Sequence, residues 1–205
     1  MPQCKVSAVL LAGGEAKRMG RVNKGFQPLN GAVLAEHVLS SLKHQTSDIY
    51  ISANSYADEY ALRFPFPVFP DIRDDFLGPL AGIETVLTRA PNIEWLFCCP
   101  VDTPYIPDNL VPSLLNNAIT LGRTAAYPCH NGKAEPLHCL LHSSVLPELT
   151  AYLDADKRSV FRFLNSVDAV EVPIETEDDS FINLNTIEEL RQAEMKQTSK
   201  DSIEN

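Results

Sequence analysis

The chain has 205 residues, 44% of them hydrophobic and 21% charged, and its 17 Lys and Arg stand against 27 Asp and Glu for a formal net charge of −10. That length suits one sizeable core, and the acidic balance excludes a general nucleic-acid binder, which needs a basic face against phosphate. No apolar run approaches the ~18 to 20 residues that span a bilayer, which excludes a transmembrane helix.

In chain order, residues 6–11 read as a buried strand running into glycines. The charged stretch that follows carries no secretory cleavage pattern, so a cytoplasmic protein is expected. Residues 33–43 form a helix with Leu34, Val38 and Leu42 on one face. Residues 48–53 alternate as a strand, 58–63 form a short helix, and 67–70 hold only a short strand between prolines. A helix over 79–89 starts on proline, where the missing N–H does no harm. Residues 94–100 are a continuous apolar run, of the kind buried on both faces of a parallel sheet. The five cysteines are odd in number and Cys98 and Cys99 lie side by side in this run, which suits reduced, buried thiols; no spacing suggests structural zinc.

A helix over 107–119 comes next, then strands over 124–129 and 133–141 joined by Asn131-Gly132, a dipeptide suited to a tight hairpin. Helices over 143–153 and 159–164, a strand over 169–173, an acidic loop over 175–180 and a last short strand over 181–184 follow. Thr186 is placed to cap a final helix, with Glu189 as its capping-box partner. Residues 1–195 are expected to form a single domain and the polar residues 196–205 a disordered tail. Strand–helix alternation of this kind predicts a three-layer α/β/α, Rossmann-like fold with a mostly parallel central sheet. Such sheets bind ligands beyond the carboxyl ends of their strands, which gathers the loops after Leu11, Phe69 and Cys99.

The loop after Leu11 fits neither G-x-x-x-x-G-K-[ST] nor G-x-G-x-x-G, yet it has the physics of a phosphate cradle. Gly13 and Gly14 let backbone N–H groups converge on an anion, and Lys17, Arg18, Arg21 and Lys24 face only Glu15 in opposition. A solvated turn with ordinary surface charges is the competing interpretation. Asp102, just past a buried strand, stands where a sheet presents a carboxylate to Mg2+ and nucleotide phosphates, or is a simple turn residue. Gly82, inside a helical pattern, costs about 1 kcal/mol relative to Ala, which points to a close neighbour or to helix packing. His37 and His44 read as surface residues, and His138 and His142, flanking a strand end, as satisfied or solvated ones.

Together these segments resemble one family. Leu11-Ala12-Gly13-Gly14-x-x-x-Arg18-Met19-Gly20-x-x-x-Lys24-Gly25, Gly78-Pro79-Leu80-Ala81-Gly82, Pro100-x-Asp102-Thr103-Pro104 and Asn183-Leu184-Asn185-Thr186 are similar, in order and spacing, to motifs of the MobA family of molybdenum cofactor guanylyltransferases. The resemblance implies a nucleotidyltransferase fold and GTP contacts from Leu11, Ala12, Gly13, Gly14, Lys24, Asp71, Gly78, Gly82 and Asp102. It implies Arg18, Lys24 and Asp102 as the catalytic set, with Asp102 holding Mg2+. The family often has Asn-Ala-Asn after its second strand; here the residues are Ser52-Ala53-Asn54, so Ser52 and Asn54 occupy that nucleotide contact and only Asn54 matches. Gly13-Gly14, where the related cytidylyltransferases usually carry Ala-Gly, favours guanine.

The reaction implied is transfer of GMP from GTP to molybdopterin or its molybdenum form, giving molybdopterin guanine dinucleotide and pyrophosphate. A phosphate monoester has its second pKa near 6 and needs no general base, so catalysis reduces to positioning and charge neutralisation. A related molybdopterin cytidylyltransferase or sugar-phosphate nucleotidyltransferase, and a non-catalytic GTP-binding cofactor carrier, are the alternatives. A monomer with transient contacts to molybdoenzymes or other cofactor-synthesis proteins is expected.

Overall fold

The computed structural model describes residues 4–13, 23–74, 77–176 and 179–201. In chain order the elements are β1 (Val6–Leu11), β2 (Pro28–Leu29), β3 (Ala32–Val33), α1 (Leu34–Gln45), β4 (Asp48–Ser52), α2 (Ala57–Arg63), β5 (Val68–Phe69) and α3 (Pro79–Arg89). They continue as β6 (Trp95–Pro100), α4 (Leu110–Thr120), β7 (Ala125–His130), β8 (Lys133–Ala134), β9 (Leu140–His142), α5 (Leu146–Asp154), α6 (Val160–Ser166), β10 (Val170–Pro173) and α7 (Ile187–Asp201).

The main sheet runs β10-β7-β9-β6-β1-β4-β5, with β8 paired to β7. β1 is parallel to both β4 and β6, while β9 runs antiparallel between β6 and β7. Every residue of β1 and β6 is buried. The cause is two-sided cover. Side chains alternate across a strand, so Ala8 and Leu10 join Val38, Leu42, Leu110 and Leu114 of α1 and α4 on one face. Val9 and Leu11 join Ile83, Val86, Leu149 and Phe163 of α3, α5 and α6 on the other. This is the expected α/β/α sandwich with its mostly parallel sheet.

Two local expectations need correction. The strand read over 133–141 is two pieces, β8 and β9: Glu135 N still bonds Pro128 O across from β7, but Pro136 cannot donate to a ladder, and His138 N turns onto Glu135 O. No strand forms over 181–184. Phe181 adopts a left-handed φ of 63°, and this segment instead donates one bond to Tyr105 O, from Phe181 N, and one to Asp102 O, from Leu184 N. The final helix runs from Ile187 through Asp201, and Lys196 Nζ lies 2.8 Å from Asp179 Oδ1. The hairpin at Asn131-Gly132 is present, both residues at positive φ. A second, unread hairpin of the same kind joins β2 to β3.

Candidate active site

β1 lies between β4 and β6, so the chain leaves all three strands at one edge. Their pairing continues past the strand ends: Ala12 N donates to Ser52 O at 2.9 Å and Val101 N to Leu11 O at 3.1 Å. Leu11, Ala12 and Gly13 therefore form one backbone rim with Ser52 on one side and Asp102 on the other. Gly14 and Arg18, with Lys17 and Arg21, lie outside the described residues.

On the β6 side the rim meets a lysine. The chain returns at Asn23, whose side-chain carbonyl accepts from Gly25 N at 3.1 Å and from the Tyr60 hydroxyl at 3.0 Å. Tyr60 is buried, which pushes its phenol pKa up and keeps the hydroxyl a donor. A side chain at Gly25 would run into that hydroxyl, so glycine lets the turn sit tight. The turn holds Lys24 so that its Nζ reaches Asp102 Oδ2 at 2.5 Å. Lys24 also donates to Asn185 Oδ1. Lys24 and Asp102 side chains are 28% and 19% exposed, reachable by a ligand yet partly desolvated. The other carboxylate oxygen, Asp102 Oδ1, is buried with no hydrogen-bond partner among the described residues. An unpaired carboxylate oxygen is costly to bury, and it is a donor atom that a hard cation could take.

Asn185 belongs to this cluster, although the sequence reading left it out of the site. Leu184 N donates to Asp102 O at 2.8 Å, which brings the segment across. Glu189 then accepts from Asn185 N at 2.6 Å and Thr186 N at 2.8 Å, while Glu189 N bonds Thr186 Oγ1 at 3.1 Å. The capping box expected at Thr186 is thus present and also fixes Asn185. These backbone donors hold the Glu189 carboxyl below its usual range. The signal in the sequence was Asn185 standing one residue before a cap.

On the β4 side, Asn54 and Asp71 bind each other twice, Asn54 Nδ2 to Asp71 Oδ2 and Asp71 N to Asn54 Oδ1, both at 2.7 Å. Burial pushes the Asp71 carboxyl up, against hydrogen bonds from Asn54 and Ser52 that favour the charged form. These two bonds orient Asp71 and leave Asn54 one N–H and one carbonyl lone pair to offer a ligand. Gly82 of α3 lies against this group. A Cβ there would strike Ser52 Oγ and stand 3.1 Å from Ser52 Cβ and 3.4 Å from Leu11 Cδ2. That close approach explains a glycine in a helix interior. Gly78, at φ 80°, precedes Pro79 at the start of the same helix.

A parallel sheet whose carboxyl edge offers a glycine-bearing rim, a lysine and a partly exposed carboxylate has the parts that nucleotidyl transfer needs. The comparisons agree. Residues 8–170 match the MobA-like NTP transferase domain. The chain is 37% identical over 187 residues to a molybdenum cofactor guanylyltransferase of Haemophilus influenzae, covering 91% of this chain and 96% of that one. It is 38% identical over 186 residues to the protein of that name from Pasteurella multocida, covering 90% and 97%. Molybdopterin-guanine dinucleotide biosynthesis protein A of Archaeoglobus fulgidus superposes with a TM-score of 0.79 at 24% identity, over 95% of this chain and 99% of that one, and so shares the fold. The chain belongs to the MobA-like NTP transferase family, alongside the molybdenum cofactor guanylyltransferases. No helix among the described residues is long and apolar enough to cross a membrane.

Proposed function

We propose that this chain transfers GMP from GTP to molybdopterin, forming molybdopterin guanine dinucleotide and releasing pyrophosphate. The observation that carries this reading is the Lys24–Asp102 pair on the rim after β1, with Asp102 Oδ1 buried and without a partner among the described residues. It sets a cation and a metal-competent carboxylate at the strand ends, where a triphosphate would lie.

The acceptor's terminal phosphate attacks the α-phosphorus of GTP, a new P–O bond forms, and the bond to the β-phosphate bridging oxygen breaks. The attacking monoester is ionised near neutral pH, so no residue has to remove a proton. Lys24 neutralises phosphate charge, with Arg18 assigned to the same task by the family resemblance. Backbone N–H groups around Gly13 line the approach, and Asp71, held by Asn54 and Ser52, contacts the nucleoside. Gly82 lets α3 sit close to the nucleotide rim, and Gly78, at φ 80°, turns the chain into that helix.

Among the described residues no three His, Cys, Asp or Glu side chains gather as a metal cage. Mg2+ is commonly held by one or two carboxylates together with substrate phosphates. Asp102 Oδ1 is the protein atom that would hold it. When bound, Mg2+ would supply charge neutralisation on the triphosphate.

Incubation with molybdopterin, Mg2+ and GTP, CTP or UTP in turn tests the reading. Dinucleotide and pyrophosphate are expected with GTP; preference for CTP or UTP identifies a sister activity, and GTP binding without pyrophosphate identifies a carrier. Asp102→Ala is expected to abolish pyrophosphate release, and near-wild-type release by that variant would remove Asp102 from the site.

A further inference from the structure

His138 is buried, 1% exposed, in the irregular stretch between β8 and β9. Its Nε2 lies 2.9 Å from Thr103 Oγ1. Thr103 follows Asp102 directly, is fully buried, and donates its hydroxyl hydrogen to Pro100 O at 3.1 Å. With that hydrogen on Pro100 O, Thr103 Oγ1 is left to accept from His138 Nε2–H. In a ring that burial keeps neutral, a proton on Nε2 leaves Nδ1 bare. Burial, with a smaller contribution from Lys133, pulls its pKa down to about 3, in keeping with a ring that stays neutral.

Nδ1 is buried and has no partner among the described residues. An unsatisfied buried polar atom costs about 1–3 kcal/mol. Phe or Leu at this position would fill the space without that cost, so packing alone does not account for histidine. What histidine adds is the Nε2–H on Thr103. Its ring also meets Phe181 edge to face, centroids 5.0 Å apart. Phe181 holds the left-handed backbone that opens the segment leading to Leu184, bonded to Asp102 O, and Asn185, bonded to Lys24. One side chain thus touches both loops that bring Asp102, Lys24 and Asn185 together.

We propose that His138 is a positioning residue of the transfer site: through Thr103 it fixes the turn that bears Asp102, and through Phe181 it braces the segment that delivers Asn185. The proposal rests on the reading of Asp102 and Lys24 as phosphate- and metal-handling groups. It goes beyond that reading by giving a buried residue of the antiparallel part of the sheet control over their geometry.

The test compares His138→Phe, His138→Gln, Thr103→Val and the His138→Phe/Thr103→Val double variant in the full chain. Readouts are Tm, kcat and KM for GTP, and Mn2+ affinity with GTP present, followed by electron paramagnetic resonance. His138→Phe is expected to lower kcat and Mn2+ affinity about tenfold to a hundredfold, the range for groups that orient metal ligands. KM for GTP and Tm should change little. Thr103→Val should give the same loss, and the double variant no further loss, because both break one link. Gln restores an N–H donor and should recover most of the activity. Wild-type kcat and Mn2+ affinity in His138→Phe, or losses that simply follow Tm, would overturn the proposal. If His138→Phe does not fold, wild-type behaviour of Thr103→Val overturns it equally. Failure of the unmodified chain to transfer GMP would instead overturn the functional reading, and Mn2+ binding would still decide the role of His138.

Discussion

Lys24 meets two acceptors from distant parts of the chain, Asp102 78 residues away and Asn185 161 residues away. Without a ligand its ammonium sits where a divalent cation would compete for Asp102. Replacing it should therefore have opposite effects on two measurements. Lys24→Met is expected to raise Mn2+ affinity in the absence of nucleotide several-fold, about 1 kcal/mol for a close like charge removed from a partly exposed site. The same variant should lose most of its turnover with GTP; weaker Mn2+ binding, or full turnover, would break the assignment. At this scale the sequence was informative where a residue's job is local. Asp102 at a strand end, and Gly82 as an anomaly in a helix, could be picked out directly. Asn185 could not, because its contact with Lys24 arises only when the final segment crosses to Asp102. The support that Asn54 gives Asp71 likewise needed the two mutual hydrogen bonds to be seen.

Elements bounded by glycine or proline were readable from the sequence to within a residue or two. α3 starts at Pro79 after Gly78 and ends at Arg89 as read, and β1 ends at Leu11 before Gly13. Elements defined by their partners were not readable. β9 is three residues long and exists because β6 and β7 present edges on either side of it. The β2–β3 hairpin is too short for any periodicity. Gly82 shows propensity and packing in direct opposition. Alanine would gain about 1 kcal/mol in helix propensity, but its Cβ would strike Ser52, and overpacking costs about 1–3 kcal/mol. Gly82→Ala is expected to lower stability by about 1 kcal/mol net in urea unfolding and to raise KM for GTP. Adding Ser52→Ala removes the struck hydroxyl and should return part of the stability. A Gly82→Ala protein more stable than wild type would show that α3 can shift freely.

For the molecule as a whole, the length and strand–helix rhythm were enough to indicate three layers, while the ties between layers were not visible. Arg73, in the loop after β5, grips Glu84 of α3 through Nε at 2.5 Å and Nη2 at 2.8 Å, and also reaches Asp154 of α5 at 2.7 Å. Thr150 of α5 adds a bond to Glu84 at 2.8 Å. Glu84 is 3% exposed, and the Arg73 guanidinium holds its carboxyl below the usual range. Glu84→Ala leaves Arg73 without its buried partner and should cost about 3 kcal/mol at neutral pH. A depressed folded pKa contributes stability above the unfolded value near 4.3, and that contribution is lost as pH falls through the folded value. The stability gap between wild type and variant should therefore narrow below about pH 4; a gap independent of pH would assign the cost to packing alone. The order of assembly also has a consequence for synthesis. The last strand of the sheet ends at Pro173, but Asn185 reaches Lys24 only with the segment that leads into α7. As the chain emerges from the ribosome, the sheet has all its strands before the phosphate-handling centre has all its groups. A prematurely terminated chain that stops after Pro173 has every strand but lacks Asn185, so turnover becomes a property of molecules whose C-terminal segment has been made and docked.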